Sequence, residues 1–156
     1  DETDGRHGDG NSGPAAVIPV PPRRRAGTMS VMASLRDVVV DCAHPAALAR
    51  FWAAAMDGYA VAPYDEEELA RLRSIGVFDV EDDPTVLVTG PGPRLFFQRV
   101  PEPRRVKNRL HLDLTAAEPE REIGRLTGLG ARVEARYAGH VTLTDPEGNE
   151  FCIMLP

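Results

Sequence analysis

Cysteine, aromatic residues and lysine are scarce in this 156-residue chain, and it has no long apolar run. Two cysteines, Cys42 and Cys152, are too few for a disulfide scaffold or a CxxC zinc site, and they read as buried free thiols of a cytoplasmic protein. Without an apolar stretch near the ~20 residues of a membrane-spanning helix, no membrane partner is expected. Basic residues do not dominate either: 18 stand against 24 acidic ones, for a net charge of −6. That balance speaks against a nucleic-acid partner. All the basic residues but Lys107 are Arg, a codon-usage bias that carries little physics. No GxSxG, phosphate-loop or dinucleotide fingerprint occurs. What remains is ordinary globular composition, 42% hydrophobic and 27% charged, at the length of one domain.

The first 28 residues differ from the rest. They hold five Gly and four Pro, no aromatic residue, and one short apolar stretch, AAVIPV, broken by Pro19. Such a segment buries too little apolar surface to offset its ordering entropy, so a disordered tail is expected over residues 1–30. The PPRRR run follows the apolar residues, the reverse of a secretory signal. Met29 and Met32 stand just before the regular pattern, so the residues ahead of them read as an upstream extension rather than a working part.

From Leu35 the pattern is regular. LRDVVVDC reads as a half-buried, β-branched strand. HPAALARFWAAAMDG puts Leu48, Phe51, Trp52, Ala55 and Met56 on one helical face, begun near Pro45 and stopped at Gly58. His44, just before it, reads as a capping or turn residue. A short strand over 59–63 and an acidic helix-and-loop segment over 64–83, with the character of a lid or of a disordered loop, come next. TVLVTG and RLFFQRV read as strands joined by the GPGP turn.

The second half repeats this order. RLHLDLT is a strand, EPEREIGRLTGLG a helix with Ile123, Leu126 and Leu129 inward, and ARVEARY, HVTLTD and NEFCIML are strands. Asp41 to Gly58 and Asp113 to Gly130 both span 17 residues, and TGPGPRLFFQ aligns with DPEGNEFCIM, Gly92 on Gly148. Two similar halves that each expose a sheet face should pack together. The expectation is an α+β fold of two βαβββ modules, 35–100 and 108–156, within a domain spanning 31–156. The basic, proline-rich PEPRRVKN between them reads as a solvated connection.

The LARFW helix, the run LFFQRVPEPRRVKNRLHLDL and the closing DPEGNEFCIM together resemble the glyoxalase-like branch of the vicinal oxygen chelate superfamily, which groups glyoxalases, bleomycin resistance proteins and extradiol dioxygenases. The resemblance covers about residues 35–155. It implies two βαβββ modules whose curved mixed sheets enclose a cleft, a small organic molecule as ligand, one divalent metal ion in the metal-using members, and a homodimer. The family's fold leaves the chemistry open.

The resemblance also implies where a metal would sit, on the cleft face of the first and last strands of each module. His111 falls on the family's second-module histidine position, and Asp113 shares its face. In the first strand the family's spacing lands on Asp37, while the internal repeat pairs His111 with Val39. The repeat pairs Phe96 with Cys152 and Gln98 with Met154, and Gln98 could donate a carbonyl oxygen. Cys152 stands where the family's last carboxylate is usual, four residues after the turn glycine. Glu150 has the same parity but reads as reaching solvent. The expected metal ligands are therefore His111, Gln98 and Asp37, with Asp37, Val39, Phe96, Asp113, Cys152 and Met154 lining the cleft. No catalytic residue is assigned. This donor set disfavours a standard glyoxalase I activity. It leaves three readings open: a divalent-metal-dependent lyase, isomerase or dioxygenase, a metal-free protein that sequesters a drug or metabolite, and a non-catalytic partner module whose cleft is filled by its own side chains.

Overall fold

A computed structural model describes residues 33–156 of the chain; the tail expected over 1–30 lies outside them. Two four-stranded mixed sheets are built in the same way. The first has the order β1-β4-β3-β2, from β1 (Asp37–Cys42), β2 (Ala60–Val61), β3 (Thr85–Thr89) and β4 (Arg94–Arg99). The second has the order β5-β8-β7-β6, from β5 (Leu112–Thr115), β6 (Arg132–Arg136), β7 (His140–Thr144) and β8 (Glu150–Met154). In each, the first and last strands run parallel side by side and the others are antiparallel. The sequence repeat is thus a repeat of topology, two βαβββ modules.

Strand alternation sorts the side chains. Val38, Val40 and Cys42 of β1, with Leu95 and Phe97 of β4, turn to the core, as do Val141, Leu143, Phe151 and Ile153 of the second sheet. Helix α1 (Pro45–Ala55) presents Leu48, Phe51, Trp52 and Ala55 to that core. Each large side chain buried there is worth about 1.5–3 kcal/mol. Phe51 and Trp52 both meet Phe151 of the second module edge-on, ring centroids 6.3 and 5.2 Å apart, so α1 serves both modules. Pro45 suits the first turn of α1, where its missing N–H costs nothing. Gly58 follows the helix with φ +71°, a conformation that favours glycine.

Helix α3 (Pro119–Gly128) buries Ile123 and Leu126. Leu129, expected inward, is 40% exposed: its N–H still bonds the Arg125 carbonyl in helical register, and the helical period carries it round to the edge of the stripe buried by Ile123 and Leu126. In the acidic insertion, α2 (Glu66–Ser74) and a 3-10 turn over Val80–Asp82 precede β3. The buried carboxylate of Asp83 pins this segment, accepting from Tyr64 Oη at 3.1 Å, Arg71 Nη2 at 3.2 Å and the Thr85 N–H at 2.9 Å. Among the described residues no helix is long and apolar enough to cross a membrane.

Candidate functional site in the intermodule cleft

A cleft of about 390 Å³ opens where β1, the inter-module linker and the start of β5 come together. Its apolar walls are Val38, Val39, Val40, Trp52, Leu110 and Leu112; its polar groups include Asp41, Glu102, Arg104, Asn108, His111, Asn149 and Glu150. The linker is therefore more than a solvated connection. Arg104 Nη1 lies 3.4 Å from Glu150 Oε1 and Lys107 Nζ 3.2 Å from Oε2. With these two cations beside it, although Oε2 itself has no hydrogen-bond partner, the Glu150 side chain is only 15% exposed and faces the cleft rather than bulk solvent.

A chain of hydrogen bonds fixes one wall. Asp145 is fully buried, and a carboxylate can only accept. Its Oδ1 takes the backbone N–H groups of Glu147 (3.0 Å) and Asn149 (2.9 Å); its Oδ2 takes Trp52 Nε1 (3.1 Å) and Asn149 Nδ2 (3.0 Å). Asn149 must then present its carbonyl Oδ1 outward, where it accepts from Asn108 Nδ2 at 3.2 Å. That leaves Asn108 Oδ1 buried without a partner on a cleft-lining residue. An orphaned acceptor of this kind is costly until a donor reaches it.

At the cleft edge His111 Nδ1 lies 3.0 Å from Asp113 Oδ1 and 4.0 Å from Cys152 Sγ. Asp113 and Cys152 are register partners across the parallel β5/β8 pair, which places them side by side. Cys152 is 6% exposed, and burial pushes its thiol up from the usual range although Thr142 Oγ1 lies 3.8 Å away. Among the described residues, this is the one group of three or more His, Cys, Asp or Glu side chains with converging donor atoms, all within 4.8 Å of one another.

The other expected residues lie elsewhere on the open faces. Asp37 accepts from Arg94 Nε at 2.6 Å and from Arg36 Nε at 2.7 Å, and the Arg94 guanidinium above all holds its carboxyl below the usual range. Gln98 is level with Asp41, four residues or roughly 13 Å further up the β1/β4 pair than Asp37. The cleft joins His111 to Val39 and Asp41, and its lining takes in neither Asp37 and Gln98 nor Asp113 and Cys152; Asp113 and Cys152 adjoin it only through His111, and Asp113 lines a separate cavity with Met56 and Arg125. Phe96 is the register partner of Val39 and Leu87, and lines a second cavity of about 650 Å³ beneath α2. Met154 pairs with Thr115 and His140 at the far end of β8.

His44 makes no side-chain cap. Instead the Glu147 carboxylate reaches over from the second module and accepts from the Ala43 and His44 N–H groups, each at 2.7 Å. Asn108, Asn149 and Glu150 were not legible as cleft residues from sequence. Their nearest signal was the Asn content of KNRL and GNEF, at two loops the repeat brings together.

A divalent ion of the family can be tested against this donor set. Of the ligands expected for it, Asp37 is ion-paired, and Gln98 is not on the lining of the cleft that holds His111. A six-coordinate, carboxylate-rich set is not assembled. The His111, Asp113 and Cys152 donors fit a smaller ion. Ligands on tetrahedral zinc stand about 3.3–3.8 Å apart, from bonds of about 2.0–2.3 Å. The observed spacings of 3.0 and 4.0 Å, with no pair beyond 4.8 Å, are close to these values.

Paired βαβββ modules around a cleft define the class of fold to which this protein belongs. The sequence matches the family model described as Glyoxalase-like domain over residues 37–154, and the chain belongs to that family. A search of the curated proteins finds no match. Among solved structures, it is similar to a glyoxalase/bleomycin resistance protein/dioxygenase family enzyme from Burkholderia phytofirmans, with TM-score 0.55 and 14% identity over 78% of this chain and 97% of the other. It is also similar to the fosfomycin resistance protein FosX of Mesorhizobium loti, with TM-score 0.54 and 12% identity over 81% and 92%. The trypanothione-dependent glyoxalase I of Leishmania major gives TM-score 0.51 and 12% identity over 79% and 86%. At such identities the likeness carries the fold alone.

Proposed function

We propose that this chain binds a small organic molecule in the intermodule cleft, beside a divalent metal ion held through His111. One observation carries the reading: a cavity of about 390 Å³ with apolar walls and His111 on its lining, the size and character of a small-molecule site. When bound, such an ion polarises an oxygen of the molecule and stabilises negative charge developing there. The chain's own residues do the rest. Val39, Val40, Trp52 and Leu110 bury the apolar body, and the buried Asn108 Oδ1 offers an acceptor to a donor group on the molecule. Asp113 Oδ1 lies 3.0 Å from His111 Nδ1, close enough to face the same ion. Of the expected first-module ligands, Asp37 is paired with Arg94 and Gln98 does not line this cleft, so the reading rests on the second module. Lyase or isomerase chemistry would need only such a Lewis acid, whereas the dioxygenase alternative would need a redox-active metal in its place.

The metal-free alternative, sequestration of a drug or metabolite, draws support from the same apolar walls and from Glu150 being already neutralised by Arg104 and Lys107. The open cleft speaks against a partner module filled by its own side chains. Elemental mass spectrometry of the purified full chain, repeated on His111→Ala, tests the leading reading. A near-stoichiometric divalent metal that disappears in the variant is expected. A chain that takes up none after several divalent ions are offered overturns the metal-dependent reading.

A further inference from the structure

Resting on the proposed ion at His111, we infer that the site is thiophilic and four-coordinate: His111, Asp113 and Cys152, all from the second module, hold a zinc-type ion through nitrogen, oxygen and sulfur, and its fourth position is left to the molecule in the cleft. Three observations carry this. The donor atoms already converge within 4.8 Å. Their chemistry is mixed, and a sulfur donor turns a site away from magnesium, calcium and manganese and toward zinc or its cobalt analogue. The first module adds no donor to this converging group: Asp37 is committed to Arg94, Val39 and Phe96 have no donor atom, and Asp41, though it lines the cleft, is not among the converging side chains.

Local structure explains why these three residues meet. Asp113 and Cys152 are register partners on adjacent parallel strands, and His111 lies two residues before Asp113, on the same face. Cys152 is buried among them, whereas the side chains of His111 and Asp113 are about half exposed, so an ion can enter from solvent. Three protein ligands with one position left open is the pattern of catalytic rather than structural zinc. As the sulfur–metal bond forms, the S–H bond breaks and the proton passes to solvent. No electron is transferred, and no co-reactant is needed.

The test replaces the ion with Co²⁺, whose absorption reports sulfur ligation without any assay of activity. The full chain is stripped with chelator, titrated with Co²⁺, and then challenged with Zn²⁺. A thiolate-to-cobalt charge-transfer band in the near ultraviolet is expected, with the intense visible bands of four-coordinate cobalt, saturating at one ion per chain. Cys152→Ser should abolish the charge-transfer band and weaken zinc binding by more than the roughly 10–100-fold that an outer-shell partner costs. Should that variant fail to fold, His111→Gln and Asp113→Asn, at exposed positions, serve instead, each weakening Co²⁺ binding while the fold is kept. Cobalt bound without a thiolate band, or a band that persists in Cys152→Ser, overturns the inference but leaves a metal at His111 standing. No cobalt or zinc uptake at all overturns both.

Discussion

The indole Nε1 of Trp52 donates to Oδ2 of Asp145 across 3.1 Å, a buried bond that ties the helix of the first module to the last turn of the second. Asp145 gathers three further donors, two of them backbone N–H groups of its own turn. The bond therefore joins a packing element to the turn that aims Asn149, Glu150 and, through Asn149, Asn108 at the cleft. Trp52→Phe keeps the ring in the aromatic cluster but deletes this donor. A loss of about 1–3 kcal/mol in urea unfolding is expected. Asp145→Ala should cost more, because it also strands the N–H groups of Glu147 and Asn149. Equal losses for the two variants would count against this account.

Both ends of α1 are held from the second module. Glu147 accepts from the Ala43 and His44 N–H groups at its start, and Arg125 donates to the carbonyls of Ala54 and Ala55 at its end, at 2.8 and 3.0 Å. The anion sits at the positive end of the helix and the cation at the negative end, as the macrodipole favours. Glu147→Ala is expected to lower stability by about 1–2 kcal/mol, in the range of a lost N-cap. Hydrogen exchange should quicken at the first turn of α1 and leave the core strand β8 unchanged at matched stability. Uniform acceleration across both elements would show that the contact is not a local cap.

How far sequence carried the structure depends on how local each signal was. The strands and helices were legible because their apolar spacing is written within a few residues: Leu48, Phe51, Trp52 and Ala55 on one face, Val38 and Val40 on another. The two-module architecture followed from the equal Asp41–Gly58 and Asp113–Gly130 intervals. His111 was singled out as a candidate ligand by the family resemblance, which matches it to the second-module histidine position. Its grouping with Asp113 and Cys152 required the β5/β8 register, which no spacing within one strand encodes. Glu150 appeared solvent-bound because its neutralising partners, Arg104 and Lys107, lie more than 40 residues earlier in a segment with no periodicity. The Glu147 cap was invisible for the same reason, since capping rules look to the residues beside a helix and not to another module.

Acid should weaken the fold in a defined window. Hydrogen bonds from Arg125 hold the Glu122 carboxyl below its ordinary value of 4.5, and Arg94 and Arg136 do the same for Asp37 and Glu120. In each case the unfolded chain takes up the proton first as pH falls. The stabilisation is therefore fully present above the ordinary carboxylate range and disappears as pH drops below it toward the folded-state values. Unfolding midpoints in urea should fall between pH 5 and pH 3, these limits being approximate. Glu122→Gln should flatten part of that slope while lowering stability at neutral pH. An unchanged slope in the variant would show that the Arg125 pair contributes nothing to the pH dependence.

Cys42 offers a report on opening of the first module. It is buried on the core side of β1, and burial, with the charges of Glu147, Asp145 and Asp41 adding to it, pushes its thiol up to about 12. Its S–H donates to the Gln98 carbonyl at 3.6 Å, so even the proton has a partner. At pH 8 very little of such a thiol is ionised, and thiol reagents attack the thiolate. In a Cys152→Ser background, Cys42 should react with a small disulfide reagent far more slowly than the same thiol in the urea-unfolded chain. The rate that remains should track local opening, so it should rise in Glu147→Ala, where α1 loses the cap that sits beside Cys42. Urea should restore full reactivity. Fast labelling of the folded protein at pH 8 would mean that β1 leaves the sheet far more often than its parallel pairing with β4 implies.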